Sequence, residues 1–311
     1  MHIPDGFLDT KTAATAAVLS TTAIGVAVRA VKQTLPPAKV PLMGLTAAFV
    51  FAAQMLNFPV AAGTSGHLMG AVLAAVLLGP GAAILVMSCV LIVQCLLFAD
   101  GGLLALGANI LNMAVIGSLS GHAVYTAVKR VVKGDRGRLV AAGFAAWCST
   151  VVASVACAGE LAWSGTVSWG AAFPAMANVH MIVGLAEGLI TTLVIAAISK
   201  ARPDLLNSGM TPEPRSTLAV YGVIVILGLL IFVSPFASDW PDGLEKAAAS
   251  LGFEHRAAQM SAVPTPLSDY AFPGTGSAAE ATALAGAVGT VVVFLLSFVL
   301  ARILLPKSEL H

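Results

Sequence analysis

Long apolar runs, broken by short polar punctuation, organise this chain. No Asp, Glu, Lys or Arg occurs in the 60 residues from Val40 to Ala99. At about 20 residues per crossing that stretch holds two to three helices. Shorter charge-free runs follow at Gly101–Val128, Leu139–Gly159, Leu161–Ala186, Ser216–Ser238 and Ala281–Ala301. Thr12–Val28 is shorter but rich in Ala and Val. The pattern predicts nine helices, over 12–32, 40–57, 67–78, 82–99, 103–128, 139–160, 173–199, 217–236 and 282–305. The third and fourth are separated by Gly79-Pro80-Gly81, a helix-ending turn. The third is then too short to span and must sit within the bundle or thin the bilayer locally. No internal repeat is visible.

Composition gives these helices their solvent. Apolar residues are 58% of the chain and charged residues 10%, where a soluble domain carries roughly 25% charge. So little charge cannot cover a water-facing surface, and the expected fold is an all-α polytopic membrane protein. A net charge of +1 and an aromatic content of 6% exclude the basic field and stacking platforms of a nucleic-acid binder. Cys89, Cys95, Cys148 and Cys157 all lie in apolar runs without a C-x-x-C spacing; they read as packing residues rather than a disulfide framework. MHIPDGFLDT has no basic segment ahead of an apolar core, so these residues are expected to belong to the mature protein.

Charge also orients the chain. With the N-terminus outside, every Lys and Arg of the sixteen falls on the cytoplasmic side except Lys11, Lys246 and Arg256, as the positive-inside rule requires. The expectation is a multi-pass protein of the inner (cytoplasmic) membrane, with its C-terminus inside. Two units are expected. Residues 1–205 form a seven-helix bundle. Residues 206–311 begin with a Pro-rich linker and form a two-helix unit, whose external loop runs from Ala237 to Glu280. In that loop Asp242 and Glu245 fit a capping box, which predicts a short helix from Gly243 to Leu251 that stops at Gly252.

The chemistry-bearing candidates are few. A free terminal amine at Met1, the amide of His2 and the His2 imidazole can close a five- and a six-membered ring around one metal ion. Three nitrogens in a plane favour Ni(II) or Cu(II) over tetrahedral Zn(II). The alternative is a frayed tail with a chance His. His67, in the loop between the second and third helices, lies on the same side and could fill the fourth corner, or be a hydrogen-bonded structural residue. Asn109 and Asn112 on the fifth helix, and His180 and Glu187 on one face of the seventh, could orient these ligands or lock helices together. His122 reads as structural; His255 and His311 read as solvated. Ala48 and Ala52, with Ala47 beside them, form a small-residue stripe that suits close helix packing, within the chain or against a partner. No G-x-x-x-x-G-K-[ST], no H-E-x-x-H and no nucleophile–base pair is present.

Four separated segments carry a resemblance: MHIPDGFL at the start, GTSGHLMG at 63–70, DGGLLALGANILNM at 100–113 and HMIVGLAEGLIT at 180–191. They resemble the CbiM/NikM family, substrate-binding membrane subunits of energy-coupling-factor transporters for cobalt and nickel. SPFASDWPDGLEKAA at 234–248 is similar to the small NikN-like, PDGLE-type accessory component, which the resemblance implies is fused here through the Pro-rich linker. The resemblance implies a metal site at Met1, His2 and His67, no resident cofactor, and transported Ni(II) or Co(II). It also implies three partner chains, a membrane scaffold subunit and two cytoplasmic ATPase subunits, with no nucleic acid. The chain itself is then not an enzyme. A secondary, ion-coupled metal transporter is the rival; it would usually show repeated halves and several intramembrane carboxylates, where Glu187 is the clear case here. A membrane enzyme is the other, and it lacks a visible catalytic set.

Overall fold

The computed structural model describes residues 1–61, 63–206, 215–233, 237–238, 240–257 and 265–305. His311, Lys307 and most of the 206–216 linker lie outside the described residues. Helix α1 (Thr10–Thr34) starts on an Asp9 cap, whose side chain accepts from the Thr12 amide. It is followed by α2 (Val40–Met55), a two-stranded antiparallel hairpin of β1 (Phe58–Ala61) and β2 (Thr64–Gly66), α3 (Ala71–Leu78) and α4 (Pro80–Val93). A π-helical turn (Gln94–Phe98) ends α4. Next come α5 (Leu106–Asn109), a π-helical segment (Ile110–Ile116) and α6 (Gly117–Val131), as one interrupted rod. The long α7 (Gly134–Trp163) and α8 (Trp169–Ala201) close the first unit. The second has α9 (Arg215–Val233), α10 (Gly243–Leu251) and α11 (Ala278–Leu304).

Six of the described helical segments are long and apolar enough to cross a membrane. Leu185, Leu189 and Leu193 on α8 and Leu295, Val299 and Ile303 on α11 are exposed, as a lipid-facing stripe should be. The predicted elements differ in three places. The third helix starts at Ala71 rather than at residue 67, because Glu187 holds the Met69 and Gly70 amides outside any helical ladder. The loop before it is the β1–β2 hairpin, a small exception to an all-α fold. The fifth helix is widened by its π segment, which carries Asn112. The short helix α10 runs over Gly243–Leu251 with the Asp242–Glu245 capping box and Gly252 at its end, as the sequence predicts. Ala47, Ala48 and Ala52 are buried on a helix packed by α11, α9 and α4, so the chain itself covers the stripe.

The two units share one core. Helix α11 lies along α2, and at Gly289 the packing is tight: a Cβ there would stand 2.1 Å from Phe51 Cζ. Phe51 is itself fully buried against Phe98, ring centroids 5.2 Å apart, so it has little room to yield. Basic residues occupy the last turns of α1, α6, α8 and α11 (Lys32, Lys129, Arg130, Lys200 and Arg302), where they complement the helix dipoles. The loops at the other end gather around the N-terminus.

Overpacking at the close approach is expected to cost about 1–3 kcal/mol. Gly289→Ala should therefore lower the thermal midpoint of the detergent-solubilised chain, while Gly228→Ala, with nothing within 4 Å of its Cβ, should not. Equal melting of the two variants would remove the close packing of α11 on α2.

Candidate metal centre

The N-terminal segment is extended, buried and pinned along its length. The Ile3 amide donates to Asn109 Oδ1 at 2.7 Å, and Asn109 Nδ2 donates back to the Ile3 carbonyl at 3.1 Å. The Gly102 amide also donates to that carbonyl. Asp5 accepts from the amides of Leu103, Leu104 and Ala105, and Thr166 donates its hydroxyl to the Phe7 carbonyl. Ile3 and Phe7 are buried. Met1 and His2 are thus delivered to a fixed place in the bundle.

There the terminal ammonium meets two groups. It lies 3.3 Å from His67 Nε2 and donates to Asp242 Oδ2 at 2.5 Å. The rings of His2 and His67 are stacked, centroids 5.2 Å apart. Metal–nitrogen bonds of about 2.0 Å put adjacent planar corners about 2.8 Å apart, so the amine and His67 Nε2 stand near the spacing of two such corners. His2 Nδ1 faces Asp100 Oδ1 at 3.1 Å, and His2 Nε2 is buried without a partner. Chelation through Nδ1 therefore needs the ring to leave Asp100. Among the described residues no three His, Cys, Asp or Glu side chains converge as a metal set. An ion held here would draw on the amine and the backbone.

Burial disfavours the ammonium, but the Asp242 carboxylate outweighs it and raises the amine above its ordinary pKa. Burial also works against the charged Asp242, yet the same ion pair holds that carboxyl below the usual range. Burial lowers His2, with Asp100 opposing. Burial and the adjacent ammonium push His67 well below the ordinary imidazole value. For both imidazoles the shift favours the neutral ring, the form a metal needs.

The four further candidates divide. Asn109 fixes Ile3, next to His2. Glu187 fixes Met69 and Gly70, just past His67, with both carboxylate oxygens. His180 donates from Nδ1 to the Met176 carbonyl, 2.8 Å away, and lines a cavity of about 20 Å³ together with Met1, His67, Met113 and Asp242. Asn112 instead donates to Glu160 Oε2.

Sequence reasoning missed Asp242 and Asp100 as contacts of the terminus. Asp242 was legible only as a helix cap, and it does cap α10, accepting from the Leu244 and Glu245 amides through Oδ1. Its other oxygen takes the ammonium. The second unit is seated by backbone bonds: Ser65 N to the Pro241 carbonyl, Ser238 N to the Asn57 carbonyl and Leu267 N to the Leu97 carbonyl. Gly243 is required at the contact, because a Cβ there would lie 2.7 Å from His180 Cε1.

Comparison with known proteins gives the following. Residues 2–205 match the family described as CbiM, cobalt uptake substrate-specific transmembrane region, and residues 216–305 match the PDGLE domain. The chain is 38% identical over 305 residues to the "Putative fused nickel transport protein NikMN" of Archaeoglobus fulgidus, covering 97% of this chain and 98% of that one. It is 35% identical over 246 residues to the "Fused nickel transport protein NikMN" of Rhodobacter capsulatus, covering 73% and 71%. A crystal structure of a truncated transition metal transporter superposes with a TM-score of 0.59 at 32% identity, covering 64% of this chain and 99% of that chain.

If Asn109 holds the terminus in place, Asn109→Ala frees both polar groups of Ile3. Loss of a group that orients a ligand typically costs about 10- to 100-fold in metal affinity. Isothermal titration with Ni(II) should show a drop in that range for Asn109→Ala and far less for Asn112→Ala; equal affinities for both would remove the positioning role.

Proposed function

The chain belongs to the CbiM family of cobalt-uptake substrate-specific transmembrane regions, carries a PDGLE domain in the same polypeptide, and from that premise we propose that it is the capture subunit of an ATP-driven, energy-coupling-factor type importer of Ni(II) or Co(II). The ion is taken up by the Met1 amine, the deprotonated His2 amide, the His2 imidazole and His67. The observation that carries this reading is the convergence of a buried terminal amine and two imidazoles at one point, 3.3 Å between amine and His67 Nε2. A terminus with no function would fray in water; here several hydrogen bonds hold it in the protein.

The orientation follows the positive-inside rule. The basic ends of α1, α6, α8 and α11 lie in the cytoplasm, and the capture site opens outward from an inner membrane. ATP hydrolysis takes place in two cytoplasmic ATPase subunits, coupled through a membrane scaffold subunit, and this chain supplies the substrate site alone. An ion-coupled secondary carrier would need a free intramembrane carboxylate to carry the coupling charge. Glu187 uses both oxygens on backbone amides, while Glu160 accepts from Asn112 with one oxygen and leaves the other without a partner; loss of uptake on removal of a partner ATPase is the result that separates the ATP-driven reading from the rival.

His2→Ala and His67→Ala are each expected to abolish high-affinity Ni(II) binding in equilibrium dialysis, with His255→Ala near wild type. Full binding by His67→Ala would remove it from the site.

Proton linkage gives a second test. Binding displaces protons from the amine and the His2 amide, and Asp242 makes the amine harder to deprotonate than a free terminus. Affinity should therefore rise as pH rises through the mildly acidic to mildly alkaline range. Burial lowers both imidazoles, so the amine and amide are expected to supply most of the slope. A flat profile would rule out an amide-coordinated site.

A further inference from the structure

One chain of hydrogen bonds runs from the second unit to the His2 ring. His2 Nδ1 donates to Asp100 Oδ1 at 3.1 Å. The Tyr270 hydroxyl donates to the other oxygen, Asp100 Oδ2, at 2.6 Å. Gln94 Nε2 donates in turn to the Tyr270 hydroxyl at 3.2 Å, so that hydroxyl has a donor and an acceptor and its direction is set. Asp100 is less shielded than His2, with 24% of its side chain accessible against 6%. A carboxylate so placed and held by one imidazole alone could turn to water. With Tyr270 on its second oxygen it is held from both sides.

Tyr270 is itself firmly aimed. Asp269 and Tyr270 both adopt left-handed backbone, φ 54° and 55°, a region that residues with a Cβ seldom enter and keep only where the surroundings impose it. Here the surroundings do so. The Tyr270 ring stacks on buried Phe98, centroids 4.7 Å apart and planes 20° apart, and the Leu267 amide donates to the Leu97 carbonyl. Strain of this kind gathers at functional sites, and the polar end of this strained residue meets Asp100.

We propose that Tyr270 is a positioning residue for metal capture: through Asp100 it latches the His2 ring with Nδ1 occupied, so that the second unit sets how readily the site loads. The proposal rests on the capture reading above and concerns the regulation of that same site. Chelation takes Nδ1, the atom the latch holds. The bond to Asp100 must break before the ion is held, and only chains with the latch open bind it. Apparent affinity is then reduced by the fraction of chains in the open state. Hydrogen bonds to a charged group are among the stronger ones, and the latch has two on one carboxylate. Removing the Tyr270 hydroxyl frees Asp100 to turn away, and the open fraction rises. A tyrosine that served packing alone would act the other way, since its loss would loosen the site and weaken binding.

The test uses the full chain and Tyr270→Phe, which keeps the ring on Phe98 and removes only the hydroxyl. Stopped-flow mixing with Ni(II) should show association faster by about tenfold, the lower end for one hydrogen bond to a charged group, with dissociation unchanged. Equilibrium dialysis should show Kd lower by the same factor. Gln94→Leu, which takes the donor from the hydroxyl, should move both in the same direction by a smaller factor. In the metal-free wild-type chain, proton NMR should place the His2 Nδ1 proton far downfield, as its bond to a carboxylate requires. His2→Ala assigns that signal by losing it, and Tyr270→Phe should move it upfield. Association and affinity unchanged or weakened in Tyr270→Phe, or a wild-type chain without that proton signal, would overturn the latch while leaving the capture site standing. Tight Ni(II) binding retained by both His2→Ala and His67→Ala would overturn the capture site itself.

Discussion

The ion pair between the Met1 ammonium and Asp242 joins the two ends of the functional chain, 241 residues apart in sequence. A chain terminus is normally the least ordered part of a protein. Fixing each backbone residue costs about 1–2 kcal/mol in conformational entropy. Here the cost is met by the Asn109 clamp on Ile3, by the three amides that Asp5 accepts, and by burial of Ile3 and Phe7. With the terminus immobile, the amine can act as a positioned ligand instead of a solvated charge.

The chain uses one tripeptide twice to build this junction. Pro4-Asp5-Gly6 and Pro241-Asp242-Gly243 each present an Asp that collects free backbone amides. Asp5 gathers those of Leu103 to Ala105, and Asp242 gathers those at the start of α10. Asp5 takes amides of the turn ahead of α5, and Asp242 takes first-turn amides of α10, so each carboxylate accepts donors that no helical ladder pairs. Asp242 alone has an oxygen left over, and that oxygen meets the terminal amine. The second unit therefore reaches the candidate site through the same residue that starts its helix.

The fold was largely legible because charge is so sparse: each apolar run had to become a helix, and Gly79-Pro80-Gly81 marked a real break. The capping box at Asp242 was readable for the same reason, being a local pattern with a local consequence. Local patterns could not report the β1–β2 hairpin or the late start of α3, since both depend on Glu187 and on the second unit's backbone. Met1, His2 and His67 could be grouped by sequence through chelate geometry and side of the membrane. Asp100 and Asp242 could not, because their pairing with His2 and the amine exists only once distant segments have packed. Asn112 shows the converse: its spacing from Asn109 suggested a shared role, but the π-helical segment turns it toward Glu160.

One consequence of the geometry concerns what capture would do to the junction. An amine bound to a metal has no charge to offer Asp242, and a His2 nitrogen bound to a metal has left Asp100. On the proposed reading, loading the site therefore releases two carboxylates, one from each unit. Both remain close to the ion, and their negative charge offsets part of the charge that the divalent cation brings into a low-dielectric place. The second unit would stay seated through its backbone bonds to Ser65, Asn57 and Leu97, so loading exchanges the partners of Asp242 without undoing the dock.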